Sequence, residues 1–216
     1  MQEGTSPGQA EDPGIRRVLV VGAGTMGHGI AQAAAQAGAR VVLADRTEEL
    51  VRAGLERIRG NLDSGVERGK VTSSERDEAL SHLSPATDVA MAAEDVDLAV
   101  EAVPERLDLK HQVLGTLETA APARAILASN TSSLSVSALQ EPLERPERVL
   151  GMHFFNPVHI MKLVEVVRGR ATGDEAVATA VAFARRMGKE PIVVKDSPGF
   201  ASSRLGVALG LEAMRM

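Results

Sequence analysis

A chain of 216 residues, 44% hydrophobic and 25% charged, can bury one sizeable core, or one domain and part of another, and does not have the composition of a disordered protein. A net charge of -5 without a basic block, and the absence of Tyr and Trp, argue against a grip on nucleic acid phosphates or bases. No cysteine is present, no H-E-x-x-H spacing occurs and no apolar run reaches the roughly 20 residues of a membrane span, so metal sites, disulfides and membrane insertion are not expected, and a soluble cytoplasmic protein is.

Residues 1–14, rich in Gly, Pro and polar types, read as a flexible leader. From Arg17 the run RVLVV has the valine-rich pattern of a strand buried on both faces, IAQAAAQAG reads as a helix closed by Gly38, and RVVLAD follows as a second strand. Further strands are expected over Leu98 to Val103, Ala125 to Ser129, Val149 to Phe154, Leu163 to Val167 and Pro191 to Val194. Helices are expected over Glu48 to Arg68, Ser73 to Ser81, Leu107 to Ala120 and Asp174 to Met187. The alternation predicts an α/β fold, a doubly wound, mostly parallel sheet, with shorter connections pointing to antiparallel pairing among the last strands. After the breaker KDSPGF, an apolar helical run from Ala201 to Met216 reads as the first helix of an incomplete all-α domain. The expected division is a cofactor-binding domain over 15–196 and the start of a second domain over 197–216. Leu205, Leu209 and Leu211 are then expected to dock or to drive self-association.

Gly22, Gly24 and Gly27 have G-x-G-x-x-G spacing between the first strand and the first helix, with Thr25 and Met26 inside the turn. In that context the first glycine permits the tight turn, the second admits a pyrophosphate and the third lets helix pack on strand, which makes this a Rossmann-type dinucleotide site. Asp45 ends the second strand, where a carboxylate accepts hydrogen bonds from ribose hydroxyls and repels a 2′-phosphate, favouring NAD over NADP. The neighbouring Arg46 leaves two readings open, a cover for the adenine face or a softening of that discrimination.

A dinucleotide site names no reaction. Oxidation of a secondary alcohol needs a base for the hydroxyl proton, and His153, at the end of a strand and before Phe154-Phe155-Asn156-Pro157, is the best placed histidine, with Glu165 in the next strand to orient it. A lone histidine there is more often structural. His28 reads as packing near the cofactor, His82 and His111 as solvated surface, and His159 as a residue close to the site with no required role. The small polar loop Ser129-Asn130-Thr131-Ser132-Ser133 reads as a turn or a binding loop, and Glu105 and Lys110 alone read as solvated charges at a helix start.

The stretches VGAGTMGHGIAQAAAQAGARVVLAD, EAVPERLDLK, SNTSSLSV, GMHFFNPVHIMKLVEVV and KDSPGF, in this order, resemble the 3-hydroxyacyl-CoA dehydrogenases over nearly the whole chain. The resemblance implies oxidation of an (S)-3-hydroxyacyl-CoA by NAD with His153 as general base and Glu165 as its partner. It also implies that Asn130 and Ser132 contact the nicotinamide end and the reacting oxygen, and that Asn156, Glu105 and Lys110 are cofactor contacts. Asn61 and Arg68 match positions that touch CoA. Ser203 stands where much of the family has a substrate-binding asparagine. The resemblance further implies a second helical domain and a homodimer for the full-length family. Two other readings stay open: an NAD-binding module without turnover, and a related hydroxyacid dehydrogenase that does not use CoA.

Overall fold

The computed structural model describes residues 14–216, so the expected leader lies outside the described residues but for Gly14. In chain order the elements are β1 (Arg17–Val21), α1 (Gly27–Gln36), β2 (Arg40–Ala44), α2 (Glu48–Glu67), α3 (Ser73–Ser81), β3 (Leu83–Ala86), α4 (Val89–Ala93), β4 (Leu98–Glu101), α5 (Leu107–Ala120), β5 (Ile126–Ser129), α6 (Val136–Gln140), β6 (Val149–Phe154), β7 (Leu163–Arg168), α7 (Asp174–Arg186), β8 (Glu190–Lys195) and α8 (Ser202–Arg215).

The strands form one sheet in the order β3-β2-β1-β4-β5-β6-β7-β8. All neighbours are parallel except β6 and β7. The expectation of antiparallel pairing near the end is therefore met at one junction only: β7 and β8 are joined through α7 and run parallel to each other. Strands β4, β5 and β6 are wholly buried, as their unbroken apolar runs require of a sheet covered on both faces. One face packs Val18, Val20, Val41, Leu43, Val100 and Met152 against α1, α2 and α7. The other packs Leu19, Val21, Ala99 and Leu127 against α4, α5 and α6.

Three short elements go beyond the expectations. β3 is a four-residue edge strand, LSPA, whose Pro85 breaks any strand signal, since proline is confined to edges. α4 and α6 are five residues each, too short to show a helical period. Their sequence signal lay in the caps, where Asp88 accepts from the N–H of Met91 and Ser135 from that of Ala138.

Strand order reverses between β1 and β4, the place where open α/β sheets bind ligands. Here the chain must turn very tightly. Gly22 has φ +105°, and a Cβ on it would lie 2.7 Å from the Ala102 carbonyl oxygen at the end of β4. A Cβ on Gly27 would lie 1.6 Å from the oxygen of Gly22. α2 braces the turn from outside, with Gly54 against Ala23 and the Arg57 guanidinium donating to the Ala23 carbonyl at 3.2 Å.

α8 has no buried residue, and Leu205, Val207, Leu209, Leu211 and Met214 are exposed. No helix among the described residues is long and apolar enough to cross a membrane.

Two glycines of α2 separate helix propensity from packing. Alanine at an exposed helical glycine gains about 1 kcal/mol, and Gly60 has open space around a Cβ. At Gly54 the added methyl would meet Ala23 Cβ at 2.9 Å and Leu43 Cδ2 at 3.0 Å. In urea denaturation Gly60→Ala should stabilise by about 1 kcal/mol, whereas Gly54→Ala should destabilise by about 1–3 kcal/mol through overpacking.

Candidate functional site

The carboxyl ends of β1, β4, β5 and β6 open on a cleft of about 360 Å³ lined by Met26, Ala102, Val103, Glu105, Asn130, Ser132, His153, Phe154, Phe155 and Asn156. Its floor begins at the glycine turn. Asp45, just past β2, accepts from the Ala23 N–H at 2.8 Å with one oxygen and from the Arg46 N–H at 2.8 Å with the other, and stays half-exposed. Gly24 is exposed, and a Cβ placed there would meet nothing within 4 Å, so this stretch of backbone faces open space at the N-terminus of α1.

Next along the cleft lies a buried ionic cluster. Glu101, the last residue of β4, is fully buried and accepts from Lys110 Nζ at 2.8 and 3.0 Å, from Ser129 Oγ at 2.6 Å and from the Val103 N–H at 2.7 Å. Lys110 on α5 is 1% exposed. It also reaches Glu105 at 3.2 Å. This corrects the reading of Lys110 as a solvated charge: it is a core residue that does not line the cleft. Glu105 does line it, and one of its oxygens accepts from Thr131 Oγ1 at 2.6 Å and from the N–H groups of Ser132 and Ser133 at 2.9 and 3.0 Å. Burial works to raise the Glu105 pKa, but these donors and the Lys110 charge outweigh it and hold the carboxyl at about 2. The 129–133 segment is thus a fixed loop that presents Ser132 to the cleft. Asn130 is fixed too, its Oδ1 accepting from the Phe154 N–H at 2.9 Å.

His153 sits near the end of β6, directly across the antiparallel pair from Glu165 on β7. Opposed residues of such a pair project to the same face, and His153 Nδ1 lies 2.6 Å from Glu165 Oε2. With Glu165 fully buried and acceptor-only when ionised, Nδ1 carries the proton and Nε2 is left for the cleft that His153 lines. Burial alone would raise the Glu165 pKa, but the His153 bond and the N–H groups of Ser202 and Ala201 outweigh it and the carboxyl is lowered. The Phe155 ring packs 4.5 Å from the imidazole, centroid to centroid.

Not every expected residue reaches the cleft. Asn61 donates to Gln32 at 3.0 Å between α1 and α2, Arg68 is the exposed C-cap of α2, and Ser203 is exposed on the first turn of α8. His82 and His111, read as solvated, are half-buried and bond to the carbonyls of Ala35 and Ala138 at 3.2 and 2.9 Å. His28 bonds to the Gly24 carbonyl at 2.7 Å, beside the glycine turn as expected. His159 is exposed on the loop after β6, and burial, with the His28 and Lys189 charges, lowers its pKa.

Sequence reasoning passed over Glu101, Lys189 and Asp196. Lys189 is buried and bonds to the carbonyls of Val158 and, at 2.9 Å, Met161, fastening the loop that carries Asn156. Asp196 accepts from Ser135 Oγ at 2.7 Å and from the N–H groups of Val136 and Ser137 at 3.1 and 2.8 Å, capping α6. The acid of KDSPGF was the available signal for Asp196; buried charges give none.

Residues 17–197 match the family model described as 3-hydroxyacyl-CoA dehydrogenase, NAD binding domain. The chain belongs to the 3-hydroxyacyl-CoA dehydrogenase family. It is 46% identical over 191 residues to the fatty acid oxidation complex subunit alpha of Pseudomonas savastanoi, covering 88% of this chain and 26% of that protein. The chain thus spans about a quarter of the length of the curated relatives it matches. Among solved structures it is similar to FadB2 of M. tuberculosis, with TM-score 0.89, 42% identity and coverage of 94% of this chain and 71% of that one. It is similar also to (S)-3-hydroxybutyryl-CoA dehydrogenase of Ralstonia eutropha, with TM-score 0.88, 39% identity and coverage of 90% and 69%. NAD is the cofactor of this domain. The glycine turn with open space at Gly24, and a half-exposed Asp45 bonded to that turn, fit a dinucleotide of that kind.

Two measurements test the ionic cluster. Lys110→Ala leaves the buried Glu101 carboxylate without its cation and should cost about 3–5 kcal/mol in urea unfolding. Glu105 has a folded pKa held below its unfolded value, so its contribution to stability is present above the unfolded pKa and lost as pH falls through the folded one. The gap in urea midpoint between parent and Glu105→Gln should therefore be constant above pH ~5 and close as the pH approaches about 2. A gap that persists at the acid end would refute the assignment.

Proposed function

We propose that this chain carries the cofactor site and the catalytic base of an enzyme that interconverts (S)-3-hydroxyacyl-CoA plus NAD with 3-oxoacyl-CoA, NADH and a proton, in fatty-acid oxidation or short-chain acyl-CoA metabolism. The observation that carries this reading is His153, bonded to the buried Glu165 at 2.6 Å and lining the same cleft as Met26 of the glycine turn. When bound, NAD supplies the hydride acceptor. His153 Nε2 takes the hydroxyl proton, and Glu165 holds the ring in the tautomer that leaves Nε2 basic and stabilises the imidazolium that forms. Ser132, presented by Glu105, contacts the reacting oxygen. Gly22, Gly24, Thr25, Met26 and Gly27 hold the pyrophosphate, Asp45 the ribose, and Asn130, Glu105 and Asn156 the nicotinamide side. Lys110, buried behind Glu105, acts through it. Asn61, Arg68 and Ser203 lie outside the cleft, on α2 and α8, where a CoA arm or a closing second domain would meet them. Such an enzyme fits the cytoplasm and, by family resemblance, a homodimer.

The reading has a direct test in the intact gene product. His153→Ala should leave the NADH dissociation constant within about threefold and lower oxidation of 3-hydroxybutyryl-CoA by about 10²–10⁴-fold, the range of general base catalysis. Glu165→Gln, which keeps a hydrogen-bonding side chain, should lose less. A histidine variant that turns over within about threefold of the parent, far below that range, would make His153 a structural residue. In a second experiment NADH should bind more tightly than NADPH, and Asp45→Ala should narrow the difference. Equal affinities in the parent would remove Asp45 from the ribose.

A further inference from the structure

The turn after β8 is anchored at both ends. At one end Asp196 caps α6, as described. At the other, Phe200 is 3% exposed and packs with Val136 and Val167, its ring 5.8 Å from that of His153. Its backbone is unusual. Phe200 has φ +47°, the only non-glycine residue with positive φ among the described residues, and it is followed by Ala201 in the right-handed region. A left-handed residue beside a right-handed one makes successive N–H groups converge, a concavity that holds an anionic oxygen. Here the N–H groups of Ala201 and Ser202 converge on Glu165 Oε1, at 3.0 and 2.8 Å.

We propose that this turn is a positioning device for the catalytic pair: the left-handed backbone at Phe200 aims the Ala201 and Ser202 amides at one oxygen of Glu165, so that the other oxygen is held for His153 Nδ1. The inference rests on the dehydrogenase reading of His153. Glu165 has no freedom left once both oxygens are engaged, and a carboxylate that cannot rotate fixes the imidazole plane. Hydrogen bonding to the charged form also keeps Glu165 ionised although it is fully buried. The titratable group facing Glu165 is His153, from β6, while the first turn of α8 brings amides only. Backbone strain of this kind persists where packing over-determines it, and the Phe200 ring supplies that packing. A consequence is that the strength of the base depends on where α8 starts, since its first turn provides both donors.

The test removes one donor without touching a side chain. In the intact protein Ala201 is replaced by lactic acid, turning its amide into an ester, and the same exchange at Leu205, whose N–H bonds to the Ala201 carbonyl inside α8, serves as control. The Glu165 side-chain carboxyl is titrated by carbon NMR alongside turnover and NADH affinity. A hydrogen bond to a charged group corresponds to about one pH unit or more, so the Ala201 ester should raise the Glu165 midpoint by about one unit and lower kcat about tenfold, with NADH affinity unchanged. The Leu205 ester should leave the Glu165 midpoint in place. Phe200→Val gives a genetic counterpart: a β-branched residue disfavours the left-handed region, and the Glu165 midpoint should rise, whereas Phe200→Asn, which tolerates it, should keep the midpoint. A midpoint unmoved by the ester overturns the proposal, and so does a moved midpoint with parent-like kcat. An inactive parent would count against the dehydrogenase reading instead, while the carboxyl titration would still decide whether the amides hold Glu165.

Discussion

The buried contact between Glu101 and Lys110 is the constraint on which the rest of the site depends. Two opposite charges taken out of water are tolerated only when each is saturated with hydrogen bonds, and the saturation here recruits the surroundings: Ser129 from β5, Val103 from the turn after β4, and Glu105 beyond it. Because Lys110 also faces Glu105, and Glu105 gathers Thr131, Ser132 and Ser133, the loop at the end of β5 has one low-energy shape. A polar cluster built into the switch point of the sheet thus sets the geometry of residues that line the cleft without lining it throughout.

The two halves of the cleft are made in different ways. On the glycine side, backbone does the work: Gly22 and Gly27 allow approaches that a Cβ would forbid, and Asp45 spends its hydrogen bonds partly on holding the turn. On the histidine side, side chains do it, through a cross-strand pair whose register is set by the sheet and whose outer oxygen is held from α8. The first arrangement tolerates many chemistries, as the recurrence of such turns implies. The second is a His–carboxylate pair, an arrangement that serves proton transfer in many kinds of reaction.

The long elements were legible because their apolar periods are long. The run RVLVV and the glycine spacing place β1 and α1, and the β6–β7 pair could be read from HFFNP and the acid twelve positions on. Expected and observed boundaries agree closely there. What stayed hidden has physical reasons. LSPA carries no apolar alternation, and five-residue helices are too brief to display a period. Lys110 was misread because charge is ordinarily evidence of exposure, and only the topology brings Glu101 and Glu105 to either side of it. Phe200 was hidden more deeply, since nothing in the letters PGF says that the aromatic residue, and not the glycine alone, adopts the left-handed conformation.

The reversal of direction between β6 and β7 makes the His153–Glu165 contact a matter of parity. Side chains alternate faces along a strand, so displacing β7 by one residue relative to β6 would carry Glu165 to the opposite side of the sheet, among apolar side chains, and bring Val164 or Val166 beside the imidazole. Displacement by two would restore a side chain to the right face, but a leucine or a valine, Leu163 or Val167. Among insertions in this region, those confined to the loop over 155–162 leave the pairing intact, while any odd insertion between Leu163 and Glu165 separates acid from base. Chain length can drift at the mouth of the cleft, and is counted residue by residue below it.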